Sequence, residues 1–369
     1  MVELGHEPAS AIAAVRAVRP GALETRAQVE HVHAQQSCPV PLPGTTPEAI
    51  RNRALGALVG LAVGDALGTT LEFKRRDSYQ PLTDIVGGGP FRLAPGQWTD
   101  DTAIALALAD SLITDPAIDA YDLMRRFCDW RATGAYSCNG RCFDIGATVS
   151  AALNRYEKTG NPIAGSIDPA TAGNGSLMRL APVAVRHWND REALRATAFT
   201  QSATTHAAPE AMMACALYAE MLGAAIAGNL PPEPQSKAGG GEEAAGSSRY
   251  GKLAHAIAGG SWRGKPRSAI RSSGYVIHSF EAALWSVGRT TTFADAVLTA
   301  ANLGEDADTT AAIAGQLAGA RYGLSGIPQA WLDKLAWRER IEKVAGELFD
   351  ASGETTLAPA ALPPAALGQ

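Results

Sequence analysis

The chain has 369 residues, of which 46% are hydrophobic and 19% charged, and its formal net charge is −5. This length is enough for one large domain or two ordinary ones. The mild acidity and the lack of a long Lys/Arg stripe argue against a nucleic-acid-binding protein, although a nucleic-acid substrate is not excluded. Aromatic residues make up only 6% of a chain that is rich in Ala and Gly, which favours packed helices over a β-sandwich.

The cysteines and the apolar runs predict a cytoplasmic protein without a membrane span. Five cysteines in a long chain are not a disulfide scaffold, which favours a reducing compartment. Cys138 and Cys142 lack the second close pair that would complete a zinc site, so we interpret them as ordinary thiols. Arg16 and Arg19 interrupt any secretory apolar stretch, and no uninterrupted apolar run reaches about 18 residues.

The first 47 residues differ in composition from the rest, and we interpret residues 1–47 as an appended arm or linker. A short helix is expected from Pro8 to Val18. His31, His33 and Cys38 could hold a metal, but a solvated linker is the simpler interpretation.

A helix is predicted to start at Pro47, with Thr46 as its N-cap and Glu48 in its first turn. The small residues of "GALVGLAVGDALG", which follow at helical spacing, predict close helix–helix packing. Asp65 within this stretch is a candidate hydrogen-bond acceptor behind a functional site.

Residues 48–350 are expected to form one all-α domain, because apolar residues recur at spacings of three and four and strand-like alternation is nearly absent. A flexible insertion is predicted at about 231–251 and a disordered tail at 351–369. The predicted helices after the first are 101–114, 120–133, 146–158, 190–202, 208–228, 266–287, 293–301, 308–322 and 328–349.

Two acidic motifs, "WTDDT" and "LGEDADTT", each place carboxylates beside threonine at the start of an Ala-rich helix. A helix N-terminus stabilises one negative charge by about 0.3–1 kcal/mol, so a single carboxylate at each start could be a cap. If the two starts meet in space, Asp100, Asp101, Asp306 and Asp308 would need divalent cations or protons to offset their repulsion.

The residue types indicate which cation would bind. Carboxylates and the hydroxyls of Thr99 and Thr309 are hard oxygen ligands, which suit Mg²⁺ or Mn²⁺ and disfavour zinc. Six such side chains could hold two octahedral ions. Spacing alone leaves the cap and the metal interpretations about level, and the occurrence of two such motifs in one chain favours the metal.

Five motifs occur in the same order as in ADP-ribosylglycohydrolases, and the chain resembles the dinitrogenase-reductase-activating type over about residues 50–345. The resemblance implies a compact orthogonal helical domain with a binuclear metal cleft. It also implies a hydrolase that removes ADP-ribose from modified protein side chains, above all arginine. The motifs are "GALVGLAVGDALG…LEF", "GQWTDDT", "GNGSLMRLAPVA", "TTHAAPEA" and "NLGEDADTTAAIAGQLAGARYG".

The resemblance also implies roles for individual residues. Glu72 would lie beside the metals, on the same helical face as Asp65 if the helix continues that far. Asp144, in "CFDIGAT", would face the substrate ribose. The implied catalytic residues are Asp144, Glu72 and Asp101. The implied ligands of two Mg²⁺ or Mn²⁺ ions are Thr99, Asp100, Asp101, Asp306, Asp308 and Thr309. Glu305 departs from a frequent Gly or Asp of the family and is expected to tune metal affinity.

The "GNGSLMR" loop would cradle ADP-ribose, because its glycines let backbone N–H groups approach a diphosphate. Arg179 is an equal candidate for a phosphate contact and for a structural salt bridge. His206 and Tyr275 would line the same cleft, although each could equally be a core residue. The implied substrate-binding residues are Gly173, Asn174, Gly175, Ser176, Met178, Arg179, His206 and Tyr275.

Two other functions stay open at this point. The chain could be an immunity protein that neutralises a partner ADP-ribosyltransferase through the arm of residues 1–47, with or without hydrolase activity. It could also hydrolyse a different ADP-ribosyl linkage, to serine, to a nucleobase or in O-acetyl-ADP-ribose. The main expectation is an ADP-ribosylated protein as substrate.

Overall fold

The computed structural model describes residues 12–13, 44–229 and 249–354. Within these residues the fold is helical, and the only strand-like pairings are isolated bridges such as that between Gly173 and Tyr275. The all-α prediction is therefore confirmed. The helices are α1 Pro47–Gly68, α2 Asp100–Thr114, α3 Ala120–Thr133, α4 Ala147–Thr159, α5 Ala181–His187, α6 Arg191–Thr205, α7 Pro209–Ala227, α8 Arg249–Ala258, α9 Val276–Gly288, α10 Phe293–Ala301, α11 Ala307–Tyr322, α12 Gln329–Leu332 and α13 Arg338–Asp350.

Several predicted helices differ from the structure. The helix expected over 266–287 starts only at Val276, after a 3₁₀ turn at Arg267–Ala269. The helix expected over 328–349 is two helices, and the second begins after Trp337, whose φ of 58° is left-handed. Helices α5 and α8 were not predicted. Most of the arm and tail and nearly all of the 231–251 insertion lie outside the described residues.

Helices α1 and α11 pack so closely that their backbones touch. A Cβ added to Gly60 would lie 2.3 Å from the carbonyl oxygen of Gly315, and one added to Gly315 would lie 2.1 Å from that of Gly60. Gly56 makes the same approach to Gly319 one turn away. The small residues thus serve helix packing, as predicted, and the predicted Thr46 cap also forms, accepting from the N–H of Ala49 at 3.3 Å.

This packing brings the end of α1 against the start of α11, since a Cβ on Gly68 would lie 2.4 Å from the carbonyl oxygen of Ala307. The sequence left open whether helix α1 continues to Glu72, and it does not. It ends at Gly68, and a 3₁₀ turn at Thr69–Leu71 follows. Glu72 therefore reaches the start of α11 through a turn, not along a helix face.

Two helices are long and apolar enough to cross a membrane by length and composition alone: Pro47–Leu71, which includes α1, and α7. In the first, 94% of the apolar window is buried inside the protein, and in the second 61% is. For α1, burial by α11 and other helices accounts for its uniformly apolar sequence, because a helix covered on all sides by protein has no polar face.

Candidate active site

The starts of α2 and α11 converge, although the two acidic motifs lie about two hundred residues apart. Thr99, the N-cap of α2, has its hydroxyl oxygen 3.3 Å from Asp101 Oδ2 and 3.3 Å from Asp308 Oδ2. All three side chains are buried. The carboxylates of both motifs therefore share one site, which a pair of unrelated helix caps would not do.

The acids form two groups that could each hold a metal ion. Asp65, Asp101 and Asp308 offer oxygens within 4.8 Å of one another, and so do Glu72, Asp306 and Asp308. Asp308 belongs to both groups. Two adjacent cation positions bridged by Asp308 are thus compatible with the arrangement of the oxygens.

Burial and mutual repulsion raise the pKa values of these acids. Burial, followed by the charge of Asp308, raises the pKa of Asp65 and of Asp306 to about 7 each. The same two causes raise the pKa of Asp100 and of Glu72 well above the ordinary range. A divalent cation among the oxygens would reverse the effect, because its charge favours the ionised carboxylate.

The donor set fits a hard divalent cation. Asp101 Oδ1 is buried and has no hydrogen-bond partner among the described residues, which is costly for an ionised carboxylate unless a cation binds it. Thr99 Oγ1 has one proton and lies closest to Asp65 Oδ1, at 2.9 Å, so its contacts with Asp101 and Asp308 are not all hydrogen bonds. Neighbouring oxygen ligands of an octahedral Mg²⁺ lie about 2.9 Å apart, close to these spacings.

Asp65 acts as an N-terminal cap for α2 from another helix. Its Oδ1 accepts from the backbone N–H of Thr99 at 2.8 Å and from the Thr99 hydroxyl, and its Oδ2 accepts from the N–H and hydroxyl of Thr102 at 3.0 and 2.6 Å. Four hydrogen bonds occupy the carboxylate. Asp65 thus positions Thr99, in keeping with its predicted place behind the site.

Glu72 stands in the same relation to α11. Its Oε2 accepts from the backbone N–H of Ala307 at 2.8 Å and of Asp308 at 3.4 Å. Glu72 thereby closes the start of the helix that carries Asp308. The other carboxylate oxygen is left available to the acid group that Glu72 shares with Asp306 and Asp308.

A cleft of about 680 Å³ opens above the acids. Glu72, Asp100, Asp306 and Asp308 line it, and so does Asp144. Burial, followed by the charge of Asp100, raises the pKa of Asp144 to about 10. Asp144 also has a φ of 59°, a left-handed conformation of the kind that concentrates at functional sites.

The cleft is also lined by the predicted loop, with Gly173, Asn174, Gly175 and Met178, and by Thr309 and His206. Asn174 Nδ2 donates to Asp306 Oδ2 at 2.7 Å and to Ser279 Oγ at 2.8 Å. The loop is therefore tied directly to one of the acids.

The structure places three predicted substrate residues away from the cleft lining. Ser176 is fully buried and is bonded to the hydroxyl of Ser202 at 2.9 Å. Tyr275 donates through its hydroxyl to Glu210 at 2.6 Å. Arg179 is also fully buried, and it makes no salt bridge with any of the residues that the structure describes. Its guanidinium is bonded instead to the end of α6.

Phe73, whose ring begins a series of contacts with Phe91 and Phe143, was missed as a cleft residue by sequence reasoning. The side chain of Phe73 is 68% exposed and lines the cleft. Its ring contacts that of Phe91 at 6.3 Å, and Phe91 contacts Phe143 at 5.2 Å. The signal was present, because Phe73 follows Glu72 and Phe143 precedes Asp144.

Comparison with known proteins agrees with this geometry. The protein-family model for ADP-ribosylglycohydrolase matches residues 46–357. An ADP-ribosylarginine hydrolase Tri1 of Pseudomonas putida (strain GB-1) is 47% identical over 305 residues, which are 83% of this chain and 80% of the relative. The Tri1 of Serratia proteamaculans (strain 568) is 46% identical over 301 residues, 81% of this chain and 79% of the relative.

A more distant relative and a solved structure extend the comparison. An ADP-ribosyl-[dinitrogen reductase] glycohydrolase of Rhodospirillum rubrum is 34% identical over 294 residues, 79% of this chain and 92% of the relative. A chain from an ADP-ribosylglycohydrolase-related protein complex superposes with a TM-score of 0.68 at 36% identity. The match covers 82% of this chain and 99% of that one.

Proposed function

Because the chain belongs to the ADP-ribosylglycohydrolase family, we propose that it removes ADP-ribose from modified arginine side chains of proteins. Two Mg²⁺ or Mn²⁺ ions would bind between the carboxylates of the two acid motifs. The observation that carries this proposal is the convergence of two acid groups that share Asp308 on the floor of one cleft. The resemblance seen in the sequence and the family match agree on the class of enzyme.

The metal part of the proposal is supported by the ligand chemistry. Thr99, Asp100 and Asp101 from one motif and Asp306, Asp308 and Thr309 from the other provide only hard oxygens. A divalent cation bound there would supply positive charge that orients the ribose hydroxyls and acidifies water.

The chain's own residues supply the remaining chemistry. Cleavage of a glycosidic bond to ribose passes through an oxocarbenium-like state, whose positive charge an ionised carboxylate beside the cleft, such as Asp144 or Glu72, can stabilise. Asp144 and Glu72 border the cleft, so either carboxylate, once ionised, can take a proton from the attacking water. The Gly173–Gly175 segment leaves room for the rest of ADP-ribose because two of its three residues have no side chain.

The preference for arginine has two supports. The two bacterial relatives at 46–47% identity are named as ADP-ribosylarginine hydrolases. In addition, the cleft lining combines the exposed ring of Phe73 with carboxylates. A planar guanidinium stacks on aromatic faces and is attracted by acidic groups, whereas a serine-linked substrate has no such group.

The test is a panel of ADP-ribosylated substrates offered to the purified full chain with Mg²⁺ or Mn²⁺. Arginine-, serine- and nucleic-acid-linked ADP-ribose are compared by the ADP-ribose released. Release from the arginine substrate, lost in Asp308→Asn and kept in Asp110→Asn, is the expected result. Asp110 is a suitable control because it lies on α2 outside both acid groups. Release only from another linkage would overturn the arginine assignment, and no release at all would overturn the hydrolase.

The immunity function stays a prediction. It rests on residues 1–47, most of which lie outside the described residues, and the family match begins only at residue 46. Deleting residues 1–43 tests it, because a hydrolase keeps its turnover whereas a blocker loses binding to the transferase.

A cytoplasmic location likewise stays a proposal, supported by the free thiols of Cys128, Cys138, Cys142 and Cys215.

A further inference from the structure

Arg179 is a fully buried cation that makes no ion pair with a carboxylate among the described residues. Its Nε donates to Gln201 Oε1 at 2.9 Å, and its Nη2 donates to the Gln201 carbonyl at 2.8 Å and to Thr205 Oγ1 at 2.9 Å. The guanidinium also lies 4.7 Å from the ring centre of Phe127. A buried charge without a carboxylate in direct contact is costly, and the more distant charges of Cys215 and Asp100 offset only part of that cost.

The hydroxyl of Thr205 connects this cation to His206. Thr205 Oγ1 lies 2.9 Å from Nδ1 of His206 and accepts from Arg179 on its other side. An arginine can only donate, so the single hydroxyl proton of Thr205 is free to go to Nδ1. If Nδ1 carried the proton instead, the Thr205 hydroxyl would be left without an acceptor among its contacts.

The other ring nitrogen of His206 faces the cleft. Nε2 has no hydrogen-bond partner among the described residues, and His206 lines the cleft beside the loop. A Cβ added to Gly173 would lie 3.2 Å from Nε2, and one added to Gly175 would lie 3.1 Å from it. The loop glycines therefore leave this nitrogen accessible to a ligand.

We propose that Arg179 is a positioning residue: through Thr205, it holds His206 as a neutral imidazole with its proton on Nε2, which donates to an acceptor oxygen of ADP-ribose. The identity of the ligand rests on the proposed function, whereas the tautomer does not. Arg179 and Thr205 touch no substrate in this arrangement.

The electrostatics agree with the geometry. Burial, followed by the charge of Arg179, lowers the pKa of His206 to about 3. Burial lowers the pKa of Arg179 to about 9, so the guanidinium keeps its charge at neutral pH. An imidazolium beside that charge is disfavoured, so the ring is neutral. The contact of Thr205 with Nδ1 then places the one ring proton on Nε2.

The tautomer is measured directly by ¹⁵N–¹H correlation on the full chain labelled at histidine, with His206→Gln used to assign the signals. The expected signature at pH 7 is a protonated Nε2 and an unprotonated Nδ1 in the wild type. Thr205→Val should weaken or abolish this preference, and Thr205→Ser should restore it. Thr204→Val is the matched control, because Thr204 also contacts Arg179, at 3.4 Å, but does not contact His206.

Binding of ADP-ribose, measured by calorimetry, is the second readout. Loss of one oriented hydrogen bond should weaken binding by about three- to tenfold in Thr205→Val, with KM raised more than kcat is lowered, and Thr204→Val should bind as the wild type does. A protonated Nδ1 in the wild type would overturn the proposal, and so would equal losses in the two valine variants. If the wild type has the expected tautomer but releases no ADP-ribose from any substrate, the proposed function fails and the tautomer stands.

Discussion

Glu72 Oε2 accepts a hydrogen bond from the backbone N–H of Ala307 at 2.8 Å, which joins the turn after α1 to the first residue of α11. Asp65, near the end of α1, accepts from the N–H of Thr99 at 2.8 Å in the same way at the start of α2. One stretch of chain thus caps both helices whose first turns carry the acids. Since a helix N-terminus favours negative charge, each cap also helps to hold its acid group in place.

The number of metal ions that each variant binds should show which acids belong to one acid group and which belongs to both. Asp308 belongs to both acid groups, whereas Asp101 and Asp306 belong to one each. Asp308→Asn should therefore lose both bound ions, while Asp101→Asn and Asp306→Asn should each retain about one. Calorimetric titration with Mn²⁺ gives the number directly, and one ion retained in Asp308→Asn would contradict a bridging carboxylate.

The chelated protein should lose stability as the pH rises from about 4 to 7. Asp65 and Asp306 have pKa values of about 7 in the fold against an ordinary 3.8, so the folded state holds protons that the unfolded chain has already released. Their contribution is present at low pH and is lost as the pH rises through 7. Melting curves with chelator should show this fall, and saturating Mg²⁺ should remove it. A flat curve with chelator would count against the repulsion among these acids.

His206 should make the protein less stable as the pH falls, whereas Asp65 and Asp306 make the chelated protein less stable as the pH rises. Its pKa of about 3 in the fold lies below the ordinary 6.5, so the unfolded chain binds a proton that the folded state does not. The stability is present above pH 6.5 and is lost as the pH falls toward 3. The free energy of unfolding of the wild type relative to His206→Gln should thus decrease from pH 7 to pH 4. A difference that does not vary with pH would show that the fold does not lower the pKa of His206.

A methyl group at Gly60 should be poorly tolerated. Its Cβ would lie 2.3 Å from the Gly315 carbonyl oxygen, so α1 and α11 would have to separate, at a cost of about 1–3 kcal/mol or more. Gly146→Ala is the control, because a Cβ there meets nothing within 4 Å. Urea unfolding measures both. Since Gly60 lies outside the cleft lining, a stable Gly60→Ala protein would be evidence against the close packing, not against the chemistry.

Removal of the Phe73 ring should affect arginine-linked substrates selectively. The ring is 68% exposed at the mouth of the cleft, and a cation–π contact at such a site is worth about 0.5–1 kcal/mol. Phe73→Ala should lower kcat/KM for an ADP-ribosyl-arginine protein by about two- to fivefold. Phe73→Leu, which keeps the apolar bulk, should show a similar loss, because the ring face is what the guanidinium contacts. Equal kcat/KM values for the wild type and both variants would show that Phe73 does not contribute to the preference for arginine.

Much of the architecture was predictable from local patterns. The helical period of apolar residues located α3, α6 and α10 within a few residues, because each buries one face and leaves another more exposed. Helix α2 was located equally well, although it is buried almost all round. The spacing of small residues in α1 predicted a close helix neighbour but not which one. The acids beside threonine predicted hard-metal chemistry, since residue type alone sets ligand hardness.

The roles of Glu72 and Arg179 could not be predicted in this way. Glu72 was expected on the same helical face as Asp65 if the helix continued that far, but α1 ends at Gly68, where it lies against the start of α11. Arg179, in a motif that suggested a phosphate ligand, turns into the core toward Gln201 and Thr205. Both outcomes depend on which distant segment occupies the neighbouring space.

The sequence by itself determined that the chain is helical, which residues could bind a hard cation and to which family it belongs, because these follow from side-chain type and spacing along the chain. Only the tertiary structure decided that Asp101 and Asp308 face each other and that Asp308 serves both acid groups. The reason is that distances between residues two hundred positions apart are set by the contact of α1 with α11, and no local pattern encodes which helices will meet.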